Sequence, residues 1–260
     1  MPTLHDDLGR TVSLVDHPIR IVSLVPSLTE ALAATVPELL VGATDYCTHT
    51  GDLDPARVRG TKNPDHAAIR HLQPDLVVAN REENRRVDVN RMEEAGIPVW
   101  VTEIDTLDRA FDSIRRLFGE VIGVDEPAWI DDARRAWKRP AVLTGIRTLV
   151  PIWRDPWMAV GAGTFAGDLL RLIGLVNVLE EAPERYPRRG LEELHGLRPR
   201  LVLLPDEPYR FSDMDGPEAF PGAATALVSG RALTWYGPSL VTARHELTAS
   251  VIAALHRPAE

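Results

Sequence analysis

The sequence predicts an α/β protein of two lobes joined by helix. Two observations lead there. The first is a helix-to-strand unit that occurs twice: residues 71–83 read HLQPDLVVANREE and residues 195–207 read HGLRPRLVLLPDE. In each copy a leucine, a spacer and a proline precede a short apolar run with a polar, acidic end. Proline lacks an N–H and fixes φ, so it ends a helix or stands before a strand. A run such as Leu76-Val77-Val78-Ala79 suits a strand buried on both faces, as in a parallel sheet. The second observation is the stretch between the copies. Leu107, Ala110, Phe111, Ile114, Leu117, Phe118, Val121 and Ile122 form one apolar stripe at helical spacing. Past Gly123 a further helix is expected, with Asp125 as N-cap and Pro127 in its first turn. The predicted division is an N-terminal lobe over 1–105, linking helices over 106–139 and a C-terminal lobe over 140–260.

The elements follow in order. Residues 3–15 contain the turn Asp7-Leu8-Gly9-Arg10 and predict a small hairpin. Ile21-Val22-Ser23-Leu24-Val25 is a buried strand, followed by a helix from Leu28 to about Ala34. Ser27 is its expected N-cap, with Glu30 completing a capping box. Strand, polar turn and helix start are the usual ligand position in an open parallel sheet. Residues 40–43 are a second strand, 50–64 a loop, 65–72 a helix and 75–79 the strand of the repeat. A polar helix over 84–95 closes at Gly96, and 97–101 form the next strand. In the second lobe, strands are expected at 141–143, 150–153 and 200–204. Helices are expected at 165–173 (capped by Thr164), 191–197 and 239–255. Residues 154–163, 180–190 and 206–224 are loops.

A chain of 260 residues suffices for two medium lobes. Its 44% hydrophobic and 26% charged residues are ordinary for a soluble globular protein. With 29 basic against 38 acidic residues the net charge is −9, which argues against nucleic acid as a partner. The one cysteine, Cys47, rules out an internal disulfide. No apolar run is long enough to span a membrane. The opening MPTLHDDLGR has neither a basic nor an apolar leader region, so no signal peptide is expected in this chain.

Aromatic residues gather in the predicted loops: Trp157 and Trp235, with Tyr209 and Tyr236 in similar positions. Loop aromatics at the carboxyl ends of strands line pockets for large flat ligands, or else close the core between loops. Residues 81–86, REENRR, follow a strand directly, as a charged ligand-fixing edge or as a solvated helix start. Asp45, Cys47 and His49 alternate and share one face of an extended segment, but no second set of metal ligands lies near them. His66, His71 and His195 fall at helix ends. There is no nucleophile elbow, phosphate-binding loop, dinucleotide fingerprint or zinc-protease motif. Gly161-Ala162-Gly163 lacks the third glycine.

RIVSLVPSLTEALAA at 20–34, GTKNPD at 60–65 and LQPDLVVANREEN at 72–84 together resemble the class III periplasmic substrate-binding proteins, the helical-backbone metal receptors. WRDPWMAVGAGTFAGDLLRLIG at 153–174, ERYPRRGLEEL at 184–194 and LTWYGP at 233–238 extend the resemblance over nearly the whole chain. It implies two α/β lobes bridged by a helix (about Glu126 to Lys138), with a ligand cleft between the lobes. It implies no catalysis, no intrinsic cofactor, and a corrinoid, haem or ferric chelate as ligand. The partner implied is an ABC importer permease, and a monomer is expected. A helical linker permits only small lobe motion.

Carried over by position, the ligand residues are Pro26, Ser27, Tyr46, Thr61, Lys62, Asn80 and Arg81 in the first lobe. In the second they are Trp153, Arg154, Trp157, Tyr209, Trp235 and Tyr236. Cobalamin receptors of the family carry aromatics where this chain has Thr61 and Asn80. Lys62, Arg81 and Arg85 suit ligand carboxylates instead. The ligand is expected to stack on Trp157 and Trp235. Acids for docking on the importer are Asp65, Glu192 and Glu193. The family is extracytoplasmic, whereas the missing leader leaves a cytoplasmic location open. The alternative is therefore a leaderless cytoplasmic relative that handles a cofactor as an enzyme or chaperone. A third reading, bare zinc or manganese, has only Asp45 and His49 to offer.

Overall fold

The computed structural model describes residues 3–14 and 16–256. The chain forms two compact units. One comprises the chain up to Ile104, Asp108–Ile130 and Tyr236–Pro238. The other comprises Asp105–Leu107, Asp131–Trp235 and the chain from Ser239. The helical stretch is thus shared: Asp108–Ile130 packs with the first unit and Asp131 onward with the second.

The first unit opens with the antiparallel hairpin β1 (Thr3–His5) and β2 (Thr11–Ser13), as the turn predicts; Val15 lies outside the described residues. β3 (Ile21–Ser23) leads into α1 (Pro26–Thr35), and β4 (Leu40–Ala43) follows. The expected loop over 50–64 contains three two-residue strands, β5 (Ala56–Arg57), β6 (Arg59–Gly60) and β7 (Asn63–Pro64). Then come α2 (His66–His71), β8 (Leu76–Asn80), α3 (Arg86–Glu94) and β9 (Val99–Thr102). The sheet is parallel in the order β5-β4-β3-β8-β9. β8 and β9 are buried along their whole length, as strands covered on both faces must be. The apolar stripe of the linking region is α4 (Leu107–Arg116), continued by a π-helical stretch, Leu117–Ile122, that ends at left-handed Gly123. α5 (Ala128–Trp137) starts directly after Pro127, so Asp125 lies ahead of its cap rather than in it.

The second unit contains β10 (Ile146–Leu149), the antiparallel pair β11 (Pro151–Trp153) and β12 (Met158–Ala159), and α6 (Phe165–Ile173). It continues with β13 (Leu175–Asn177), α7 (Leu191–Gly196), β14 (Leu201–Pro205), β15 (Ala224–Val228), α8 (Gly230–Thr234) and α9 (Leu240–Leu255). Residues 141–143 are not a strand; only Leu143 turns inward, while Val142 is exposed. Thr164 caps α6 by accepting the Gly167 N–H at 3.2 Å. α6 ends at Gly174, where φ is +95° and a Cβ would lie 1.5 Å from the Leu143 carbonyl oxygen. Only glycine can make that stop.

The sheet of this unit is parallel in the order β13-β10-β14-β15. β4-β3-β8-β9 has the same order: second, first, third, fourth in chain sequence. The sequence repeat is therefore the visible part of a repeated topology. Its helix ends also match. α2 and α7 each run into a left-handed residue, Gln73 (φ 47°) and Arg198 (φ 50°), just before the proline.

Candidate functional site

In an open parallel sheet, the crevice lies at the carboxyl ends of the strands where the strand order reverses. In the first unit that is the end of β3 and β8, and in the second the end of β10 and β14.

In the first unit the chain turns from β3 into α1 with Pro26 in the first turn. Val25, not Ser27, is the N-cap, and no side chain caps the helix. Ser27 instead points inward and is buried beside the Tyr236 hydroxyl. Tyr236 donates to Glu83 Oε1 at 3.0 Å. Burial, with the Glu83 charge nearby, pushes the phenol pKa well up, so Tyr236 stays a donor. A Cβ on Gly237 would lie 2.7 Å from the Ser27 carbonyl oxygen, so glycine lets the Tyr236–Pro238 segment lie against the start of α1.

Asn80 is 2% exposed, and its side chain is used structurally. Its amide donates to Thr102 Oγ1 at 3.1 Å and its oxygen accepts the Glu82 N–H at 2.8 Å. That arrangement forms the turn after β8 and engages both ends of the Asn80 amide within the protein. Asn84, not singled out from sequence, joins three parts of this edge. Its amide donates to the carbonyls of Leu24 (3.2 Å) and Thr61 (3.0 Å), and its oxygen accepts the Asn80 N–H (2.8 Å). This use of Asn84 explains why α3 starts at Arg86 and not at 84.

The cations here are engaged. Lys62 Nζ donates to the Glu82 carbonyl, and burial lowers its pKa against the pull of Glu83 and Glu82. Arg81 pairs with Glu103, and Arg85 with Asp88 at 2.6 Å. Tyr46 is the exposed aromatic of this edge, at 65%, and lies against Gly60.

In the second unit Trp153, Arg154, Trp157 and Tyr209 come together. Trp153 is 43% exposed and meets Tyr209 edge-on at 5.7 Å. Trp157 is a core ring at 8% exposure, stacked on Phe211 at 6.1 Å and edge-on to Phe220 at 5.3 Å. Trp235 is also buried, with the Arg231 guanidinium over its ring and the Glu207 carboxylate as hydrogen-bond partner. Burial pushes the Glu207 pKa up against that bond. Both rings are buried in the second unit, whereas Trp153 is the more exposed ring. Arg154 binds Asp215 and Glu218, two loop acids that sequence reasoning missed because they lie about sixty residues downstream.

Asp45 and Tyr46 form a turn, so the Asp45, Cys47 and His49 side chains do not share a face. Cys47 is buried between the hydroxyls of Thr29 (3.0 Å) and Thr44 (3.1 Å). Among the described residues no three His, Cys, Asp or Glu side chains converge as metal ligands. Of the docking acids, Asp65 caps α2 through the Ala67 and Ala68 N–H groups, each at 3.0 Å. Glu193 accepts the Gly190 N–H at 2.8 Å, and Glu192 is exposed on the same first turn of α7. A surface hollow of about 360 Å³, lined by Arg10, Val12, Glu93, Ile97 and Val99 among others, contains none of the candidate residues.

No protein-family model matches the chain. Among curated proteins, the vitamin B12-binding protein of Vibrio cholerae serotype O1 (strain ATCC 39541 / Classical Ogawa 395 / O395) is 25% identical over 206 residues, 74% of each chain. Among solved structures, the periplasmic vitamin B12-binding protein BtuF of Vibrio cholerae superposes with a TM-score of 0.75 at 20% identity. That match covers 93% of this chain and 99% of the other. The periplasmic heme-binding protein BhuT, in complex with two hemes, superposes with a TM-score of 0.72 at 20% identity, covering 91% and 98%. These matches establish the fold class, and the relatives named are binding proteins.

Proposed function

We propose that the chain is a class III periplasmic substrate-binding protein, which binds a tetrapyrrole or related metal chelate without chemistry and delivers it to an ABC importer permease; its likeness to the vitamin B12-binding protein and to BtuF supports this. The observation that carries this reading is the placement of Trp153 and Tyr209 in one unit, and of Pro26, Tyr46 and Lys62 in the other. Pro26 follows β3 and Tyr209 follows β14 in parallel sheets with the same strand order, and Trp153 meets Tyr209 edge-on. Exposed rings supply stacking area for a macrocycle, and polar groups orient it. The relatives' names supply the ligand class.

Trp153→Ala is expected to weaken tetrapyrrole binding by about 1–3 kcal/mol, the usual cost of losing an aromatic anchor. Fluorescence titration of both proteins measures it. Equal affinities would remove Trp153 from the ligand contacts.

For delivery, Glu192 is the candidate contact on the second unit, since Glu193 is occupied as a helix cap. Glu192→Ala should leave ligand affinity unchanged and reduce ligand-stimulated ATP hydrolysis by the reconstituted importer. Full stimulation by the variant would exclude that role.

A further inference from the structure

We propose that Asp215 and Glu218 set the ligand preference of this receptor by keeping Arg154 from ligand carboxylates, so that it favours a neutral, amide-bearing macrocycle over a carboxylate-bearing one. The proposal rests on the receptor reading above. Arg154 stands on the loop after β11, next to the exposed Trp153. Arginine's planar, forked donors match a carboxylate, so this residue would ordinarily mark a site for propionates. Here the Nη1 donors are already used. Arg154 Nη1 donates to Asp215 Oδ1 and to Glu218 Oε1, the latter at 2.5 Å.

Both acids are fixed by partners of their own. Asp215 Oδ2 accepts the Tyr209 hydroxyl at 2.7 Å, and its backbone pairs with Ser212. Glu218 Oε2 accepts the Gly216 N–H at 2.6 Å. A ligand carboxylate that sought Nη1 would have to displace two held acids, not one mobile side chain. A third acid, Asp155, lies 3.9 Å from Arg154 Nε and is exposed. One cation with three carboxylates around it presents net negative charge beside Trp153, which repels an anionic ligand.

The test compares wild type with the double variant Asp215→Asn/Glu218→Gln, titrated with haem and with cyanocobalamin. Wild type should bind cyanocobalamin more tightly than haem. In the double variant the affinity ratio should move toward haem by about tenfold or more, the scale of a gained hydrogen bond to a charged group. Adding Arg154→Gln should abolish that gain, which a merely structural effect of the two acids would not do. Glu218→Gln alone, at an exposed side chain, should move the ratio in the same direction and serves if the double variant does not fold. A wild type that prefers haem, an unchanged ratio in the variants, or a gain that survives Arg154→Gln would each overturn the proposal. A wild type that binds neither probe would overturn the tetrapyrrole part of the receptor reading, on which the proposal rests.

Discussion

Trp157→Ala is expected to cost about 3–5 kcal/mol of stability, the range for truncating a buried aromatic ring. The ring packs with Leu149, Val202, Leu204, Phe211 and Phe220 in the core of the second unit. Removing it leaves a cavity that Phe211, stacked at 6.1 Å, cannot fill without losing its own contacts. The loop that carries Tyr209 and Phe211 rests on the same ring, so ligand affinity should fall as a consequence of loosened packing. Urea unfolding followed by circular dichroism reads the effect as a lowered midpoint. An unshifted midpoint together with weakened binding would make Trp157 a ligand ring and not a core ring.

The second large effect is expected at Asn84. Asn84→Ala removes the partners of two carbonyls, Leu24 and Thr61, and of the Asn80 N–H. Orphaning a buried backbone group costs about 1–3 kcal/mol, and water can reach the Thr61 side, so about 3 kcal/mol in all is expected. Asn84→Asp keeps an acceptor for Asn80 but loses both donors and buries a charge, so it should be no milder. Thermal unfolding, with amide exchange at Asn80 as the local probe, measures both variants. Wild-type melting and unchanged exchange in Asn84→Ala would show that the edge does not depend on this side chain.

The repeated unit was legible because its signals are local. Proline at positions 74 and 199, and a short apolar run after each, mark the helix-to-strand passage in the sequence itself. The left-handed Gln73 and Arg198 show the same passage in the backbone. The parallel sheet followed from strands apolar on both faces. Ala224–Val228 was missed because it covers one side of β14 and leaves Leu227 and part of its other face exposed, so it lacks a continuous apolar run. Leu175–Asn177 was missed because it begins immediately after the helix-stopping Gly174.

The site was legible in position but less so in role. Trp153 and Trp157 are the same residue type four apart, and only the rings of Phe211 and Phe220, far along the chain, decide which one is buried. Arg154 has the chemistry of a carboxylate ligand, and only two acids from a distant loop redirect it. Ser27 has a capping residue's identity and spacing, but Pro26 already occupies the first turn and Val25 the cap. Such long-range pairings leave no periodic trace in the sequence.

The most direct test of the receptor reading is isothermal titration calorimetry with cyanocobalamin, haem and a ferric siderophore, followed by mass spectrometry of the recovered ligand. The predicted result is saturable binding of a tetrapyrrole that is recovered chemically unchanged. No saturable binding of any of the three, or recovery of an altered ligand, would contradict it.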